Sequence, residues 1–432
     1  MQEAADMWLI DATPALFTDL YELTMAQVYF KKHMDQTAEF EVTVRRLPEH
    51  WGYFVMAGLA EIETYLEAFR FDENDVAYLQ SLGTFETDFL DYLGQFKPRV
   101  RIRALPEGTV FFPHEPILEV SGPILDAQLL ETYILNILGF SIIEATLAAR
   151  TVLAAGDKPV LDFGLRRCQG PISALRAARG GQIAGFKATS NVFAGRALTL
   201  LPSGTMAHSY VQAHDGEEQA FRDFAEQFGQ NAVLLVDTYD TLEGIQVAAA
   251  VAQEILEAKG IRIKGIRIDS GDLVALSRFA REYFDKQGLD FLRIFVSGDL
   301  DEYKIRDLLE AGAEIDGIGI GTRYSTGRHA PALEIVYKIV QYHGRNLCKS
   351  SPDKVTRPGR KTITRVTDSG RHENDIIGPF DPAAPDLLRP FEAAEPMETI
   401  QRRLAQELAA LPGPFKAIRD PETYPVHFTG SR

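Results

Sequence analysis

The sequence predicts an α/β protein organised around parallel strands joined by helices, and three observations carry that expectation. From Lys158 onward, short β-branched or apolar runs alternate with helical stretches, the pattern of a parallel sheet with helical crossovers. The runs are PVLDFG, IAGFKATS, TMAHSYV, VLLVDT, IKGIRIDSG, LRIFVSGD and IDGIGIGT, with helices expected at 217–228, 241–259, 272–287 and 301–311. Polar or glycine-rich groups cluster at these runs, as they do where the C-terminal ends of parallel strands build a site. Seven strand–helix units in about 165 residues suit a closed barrel better than an open sheet, although spacing alone fits both.

Ahead of that region both periodicities are mixed. Residues 18–33 (TDLYELTMAQVYFKKH) read as an amphipathic helix with Leu20, Leu23 and Met25 among its apolar positions. Residues 38–46 alternate Phe40, Val42 and Val44 with charged or polar partners, as a half-buried strand does. Residues 58–69 and 85–96 read as helices, and 99–120 as strand-like stretches broken by Pro106, Pro113 and Pro116. Ile124 to Thr151 predicts a long, mostly apolar helix with Gly139 as its weak point. After Pro331, residues 333–342 and 361–367 read as strands, 373–396 as a turn-rich acidic stretch and 397–411 as a helix.

Composition narrows the class. A chain of 432 residues suggests two or three domains, and 45% hydrophobic with 25% charged residues is ordinary for a globular protein. The 45 Lys and Arg face 61 Asp and Glu, a formal net charge of -16, which argues against coating nucleic acid or an anionic membrane. An anionic ligand would need a locally basic pocket. Two cysteines, Cys168 and Cys348, give neither a disulfide framework nor a cysteine-rich zinc site, and fit a reducing cytosol. The N-terminal MQEAADMW lacks the basic and apolar regions of a signal peptide, and no uncharged apolar run approaches the ~20 residues of a spanning helix. The expectation is a cytoplasmic protein.

The chemistry-bearing residues sit at the predicted strand ends. Asp162 and Arg166 follow the first run, and Thr189, Ser190 and Asn191 the second; His208 lies in the third and Asp237 ends the fourth. Arg267, Asp269 and Ser270 end the fifth, Gly298 and Asp299 the sixth, and Gly321, Thr322 and Arg323 the seventh. GIGIGTR (317–323) has glycines whose bare backbone can approach an anion, then Thr322 and Arg323 as donors. The carboxylates Asp269 and Asp299, set beside glycines, suit ribose hydroxyls or a hydrated Mg2+. DFGLRR (162–167) sets guanidiniums beside Phe163, a ring able to stack on a planar heterocycle. His208 and His214, if on one strand, stand some 20 Å apart at ~3.3 Å per residue and cannot share a metal. His208 is the better nucleophile or base, with Asp237 on the next strand to orient it. His214 reads as a surface or dimer-contact residue and Cys168 as structural.

Taken together, TDLYELTMAQ (18–27), DFGLRR (162–167), FKATSNVFAG (186–195), GTMAHSYVQAH (204–214), IRIDSGDL (266–273), SGDLDE (297–302) and GIGTR (319–323) resemble the nicotinate phosphoribosyltransferase family, in order from Thr18 to about Val340. The resemblance implies an irregular parallel α/β barrel (126–339) with a flanking α/β domain built from the N- and C-terminal segments (1–125 joined by 340–432). It also implies a homodimer with shared active sites. The implied reaction joins nicotinate to 5-phosphoribosyl diphosphate, giving nicotinate mononucleotide and diphosphate, with ATP hydrolysis driving the step and Mg2+ on the diphosphate. On that resemblance Tyr21 and Phe163 sandwich the pyridine ring, Tyr21 from the other subunit. Arg166 and Arg267 hold the nicotinate carboxylate or the diphosphate, Asp269 binds ribose hydroxyls, and Gly298, Gly321 and Thr322 cradle the 5'-phosphate. His208 becomes a phosphohistidine with Asp237 behind it. Ser190 selects the base, because the nicotinamide-using relatives carry Asp there. The competing readings are that nicotinamide-using enzyme, a barrel lyase or hydrolase with His208 as general base, and a binding protein without turnover.

Overall fold

In a computed structural model, residues 14–349 and 357–430 are described, and MQEAADMW lies outside them. The chain up to Thr146, together with His329 onward, forms one unit, and Leu147–Arg328 forms the other.

The first unit is built on a six-stranded antiparallel sheet in the order Arg345–Asn346, Ile335–Tyr342, Thr37–Val44, Pro116–Pro123, Arg101–Ala104, Arg389–Pro390. Thr37–Val44 pairs with Ile335–Tyr342 on one side and Pro116–Pro123 on the other, so both ends of the chain share one sheet. Its alternation predicted one dry face, yet both faces are buried. Phe40, Val42 and Val44 fill the apolar side, while Glu39 and Glu41 are buried on the other. Glu41 is neutralised by Lys361 at 2.6 Å, and Glu39 accepts from the Ser121 hydroxyl at 2.9 Å. A second sheet pairs Lys361–Asp368 with Arg371–Pro379, which runs parallel to Val426–Phe428. The start of the stretch expected to be turn-rich is therefore a strand. Two of its three buried positions, His372 and Asp375, are polar, with Asp375 against Arg365 at 2.6 Å, so hydrophobic alternation marks it poorly.

Two helices differ from expectation. The segment before 85–96 holds a helix of its own, Glu73–Ser81, started by a capping box between Asp72 and Asp75. The long apolar helix breaks at Leu129–Leu130, between Ile124–Gln128 and Glu131–Ala155, whereas Gly139 sits inside the unbroken part. Ile124–Ala155 is apolar enough by length and composition to cross a membrane, with a mean hydropathy of 1.6 over its most apolar window. Since 78% of that window is buried inside the protein, it reads as a core helix.

On the helix Leu20–Lys31, Leu23 and Ala26 face inward and so does Glu22, while Leu20 is 55% exposed. Glu22 accepts from the Thr18 hydroxyl at 2.7 Å and the Thr132 amide at 3.0 Å. Burial outweighs those bonds and raises its carboxyl from 4.5 to about 7. The protonated form is therefore the one that folds without cost. The contribution of this one group is greatest below pH 4.5 and is lost progressively as pH rises to about 7, an effect of ~3 kcal/mol. Glu22→Gln is expected to flatten the drop in melting temperature between pH 5 and pH 8; an unchanged slope would contradict it.

The second unit carries a six-stranded parallel sheet in the order Ala188–Thr189, Val160–Asp162, Gly317–Ile320, Arg293–Val296, Gly265–Ile268, Val233–Leu235. Helices Pro171–Ala184, Thr241–Lys259, Leu273–Lys286 and Glu302–Glu310 make the crossovers. The expected third strand, TMAHSYV, is not one: His208–Gln212 is a short helix. Just upstream, Thr189 makes a single parallel bridge with Pro202. The bridge is held by the Thr189 amide on the Leu201 carbonyl at 3.1 Å and the Ser203 amide on the Thr189 carbonyl at 2.8 Å. Pro202 has no amide to offer a further strand, and among the described residues the parallel sheet keeps six strands.

Candidate active site

The strand ends are knitted together by buried polar groups. The Asp162 carboxylate accepts from the Gly164 amide at 2.8 Å and the Thr189 hydroxyl at 2.7 Å, and burial pushes its pKa up. The Asp162 carbonyl accepts the Ser190 amide at 2.7 Å, so one residue fixes both the Phe163 turn and the Thr189–Asn191 corner. Asn191 then caps the helix Val192–Leu198. The Phe163 amide donates to the Ile320 carbonyl at 2.6 Å. Its ring lies on Gly319, where a Cβ would come within 2.5 Å of it, so the ring's seat requires that glycine. Arg166 is exposed on the single turn Leu165–Arg167.

Beside the Phe163 ring, 5.9 Å from its centroid, stands the Arg267 guanidinium. It donates to the Thr205 hydroxyl at 2.8 Å and the Met206 carbonyl at 3.0 Å, while its Nε has no hydrogen-bond partner among the described residues. Burial lowers its pKa, against the pull of Asp269 and Asp237. Asp237 is buried and accepts from the Ser270 hydroxyl at 2.6 Å and the Asp269 amide at 3.1 Å through Oδ2. Its Oδ1 has no partner among the described residues. The Asp269 carboxylate accepts from the Ser297 hydroxyl.

His208 opens its short helix, and its Nδ1 lies 3.1 Å from the Thr238 hydroxyl. The ring thus bonds Thr238, the neighbour of the Asp237 expected from sequence. His214 is occupied elsewhere, its Nδ1 donating to the Tyr210 carbonyl at 2.7 Å. Glu217, which no sequence motif marks, is raised to about 7 by burial and by the charges of Asp237, Glu243 and Asp240. The acidic run just past His214 was its only signal. The Cys168 thiol donates to the Gly164 carbonyl at 3.5 Å.

The two glycine turns differ in what they tolerate. Gly298 has φ +99°, and a Cβ there would lie 1.9 Å from the Asp269 carbonyl oxygen. Gly321 has a negative φ, and a Cβ there would stand 3.3 Å from the Phe163 carbonyl oxygen, a tight contact rather than an outright clash. Thr322 begins the helix Thr322–Ser325, and its carbonyl accepts from Thr326 at 2.6 Å. Asp299 and Arg323, expected to face ribose and phosphate, instead face each other at 2.6 Å. That contact and Lys304 hold the Asp299 carboxyl well below the usual range.

Phe163, Ser190, Arg267, Asp269, Gly298, Gly321 and Thr322 thus all stand at the C-terminal ends of one parallel sheet or the turns that follow. Tyr21 belongs to the other unit. It is 46% exposed, and burial together with Glu131 raises its pKa.

Comparison with known proteins agrees with this arrangement. Residues 16–139 match the nicotinate phosphoribosyltransferase N-terminal domain, and 159–369 match the nicotinate phosphoribosyltransferase family. Nicotinate phosphoribosyltransferase pncB2 of Mycobacterium tuberculosis is 41% identical over 423 residues, covering 95% of this chain and 91% of its own. The Bacillus subtilis nicotinate phosphoribosyltransferase is 40% identical over 389 residues, covering 88% of this chain and 79% of its own. The crystal structure of human nicotinic acid phosphoribosyltransferase superposes with a TM-score of 0.80 at 28% identity, covering 95% of this chain and 97% of that one. Sequence, strand-end chemistry and fold converge: the chain belongs to the nicotinate phosphoribosyltransferase family.

Proposed function

We propose that this protein joins nicotinate to 5-phosphoribosyl diphosphate, releasing nicotinate mononucleotide and diphosphate, with ATP hydrolysis coupled to the transfer. The step would bring nicotinate into NAD synthesis, in the cytoplasm. The observation that carries the reading is the pairing of the Phe163 ring with the Arg267 guanidinium at one end of the parallel sheet. An aromatic face beside a half-buried cation suits a planar ring that bears a carboxylate.

In this reading the pyridine nitrogen bonds to the anomeric carbon while the carbon–oxygen bond to diphosphate breaks, its electron pair leaving with the diphosphate. The sugar passes through a cation-like state, as in glycoside cleavage. The residues orient the ring and neutralise the departing charge. Phe163 and the partner subunit's Tyr21 hold the ring, Arg166 and Arg267 the anionic groups, Asp269 the ribose, and Gly298, Gly321 and Thr322 the 5'-phosphate. Mg2+, when bound, offsets charge on the diphosphate. The open Oδ1 of Asp237 and the carboxylate of Asp269 fit it, since Mg2+ takes few protein carboxylates and fills its shell with water and phosphate oxygens. Asp299 is committed to Arg323 and serves the turn. In the tautomer whose Nδ1–H donates to the Thr238 hydroxyl, His208 presents the Nε2 lone pair to the terminal phosphorus of ATP, forming a nitrogen–phosphorus bond as ADP leaves; water later takes the phosphate. A homodimer with shared sites fits the exposed Leu20 and Tyr21 in one unit and the exposed Val192 and Phe193 in the other.

Ser190 tests the base. A hydroxyl can donate to nicotinate's carboxylate, whereas a carboxylate there repels it and accepts from an amide. Turnover of labelled nicotinate should exceed that of nicotinamide, and Ser190→Asp should reduce the nicotinate kcat/KM by roughly a hundredfold. Equal use of both bases by the unmodified protein would refute the assignment.

A further inference from the structure

Arg323 follows the GIGT run, where sequence alone offers it as a phosphate donor. Its guanidinium is already spent on two carboxylates, one nitrogen 2.6 Å from Asp299 Oδ2 and the other 2.8 Å from Asp301 Oδ2. Asp301 also caps the helix Glu302–Glu310, accepting the Lys304 amide at 2.8 Å. Lys304 reaches back to the Asp299 carbonyl at 2.9 Å and its carboxylate at 3.2 Å, and Arg328 lies 3.7 Å from the same carboxylate.

The turn so held is not self-supporting. Gly298 at φ +99° and Asp299 at φ +49° are successive left-handed residues, and the second is not glycine. Ion pairs from the Gly321 turn and from the following helix converge on Asp299, and the one from the Gly321 turn is Arg323. We propose that Arg323 is a positioning residue that straps the Gly298 turn to the Gly321 turn, so that both phosphate-facing backbones are presented as one preorganised cradle. This rests on reading those turns as the seat of phosphoribosyl diphosphate.

The test is steady-state kinetics on the full-length protein, with melting temperatures measured for each variant. Unmodified protein that failed to turn over nicotinate and phosphoribosyl diphosphate would refute the functional reading itself; the variants address only the strap. Arg323→Gln should raise KM for phosphoribosyl diphosphate about tenfold while KM for nicotinate stays put. Arg323→Lys should recover part of the loss, since an ammonium can serve one carboxylate but not fork across two. Asp301→Asn keeps a capping side chain, removes the charge, and should raise the same KM in the same direction. The double variant Arg323→Gln/Asp301→Asn should be no worse than Arg323→Gln alone. A direct phosphate ligand behaves oppositely: Asp301→Asn would free the guanidinium and lower KM. That result, additive losses, or a KM for phosphoribosyl diphosphate unmoved in a folded Arg323→Gln would overturn the proposal.

Discussion

Replacing His208 by alanine is expected to abolish ATP hydrolysis, roughly a thousandfold or more below the unmodified rate, while a weak ATP-independent transfer persists. The residual activity follows because Phe163, Arg267 and the glycine turns do not depend on the imidazole for their placement. The loss should not be one of folding. His208 is half-buried at the start of a short helix, and its bond to the Thr238 hydroxyl at 3.1 Å is worth about 1 kcal/mol. Mass spectrometry after incubation with ATP and Mg2+ should find phosphate on His208 and none in the variant. Phosphate on His214, or on no histidine while ATP is consumed, would overturn the assignment. His214 is a poor candidate on geometry, its Nδ1 held by the Tyr210 carbonyl and its Nε2 3.6 Å from Asp223.

The second large effect is on folding. Gly298→Ala places a methyl carbon 1.9 Å from the Asp269 carbonyl oxygen, in a left-handed conformation that L side chains rarely adopt. The clash is with backbone rather than the tip of a flexible side chain, so one strand end must move. A loss of about 3–5 kcal/mol follows, seen as a fall in the denaturation midpoint. Asp269 is displaced with it, so binding of phosphoribosyl diphosphate should fail in whatever fraction remains folded. A variant as stable as the parent would show that the turn relaxes freely.

These two sites mark where the sequence was readable and where it was not. The parallel strands are short and strongly apolar, and Val233–Leu235, Gly265–Ile268, Arg293–Val296 and Gly317–Ile320 fall inside the runs that alternation marks out. Helices Glu217–Phe228 and Thr241–Lys259 coincide with their predicted bounds. His208 was misplaced because TMAHSYV contains strand-like Val211 and Tyr210, and local composition does not register the ladder lost at Pro202. The strand Arg371–Pro379 was missed for the reverse reason: its buried positions include His372 and Asp375, and Asp375 is satisfied by Arg365 on the neighbouring strand. Identity of the strand-end residues was legible, whereas their commitments were not. Asp299 and Arg323 look like free ligands in a string of letters, and only the fold brings the two turns together.

Arg267 has a consequence of a different kind. Two of its guanidinium nitrogens hold Thr205 and Met206, in the segment that leads from the last bridge at Pro202 to His208. Any anion that draws on Arg267 therefore competes or cooperates with the tether of that segment. Such linkage is reciprocal: if ligand on the guanidinium alters the freedom of the histidine-bearing segment, a charge placed on the histidine alters affinity at the guanidinium by the same factor. In the proposed reaction, a single side chain would make the two halves of the chemistry thermodynamically interdependent.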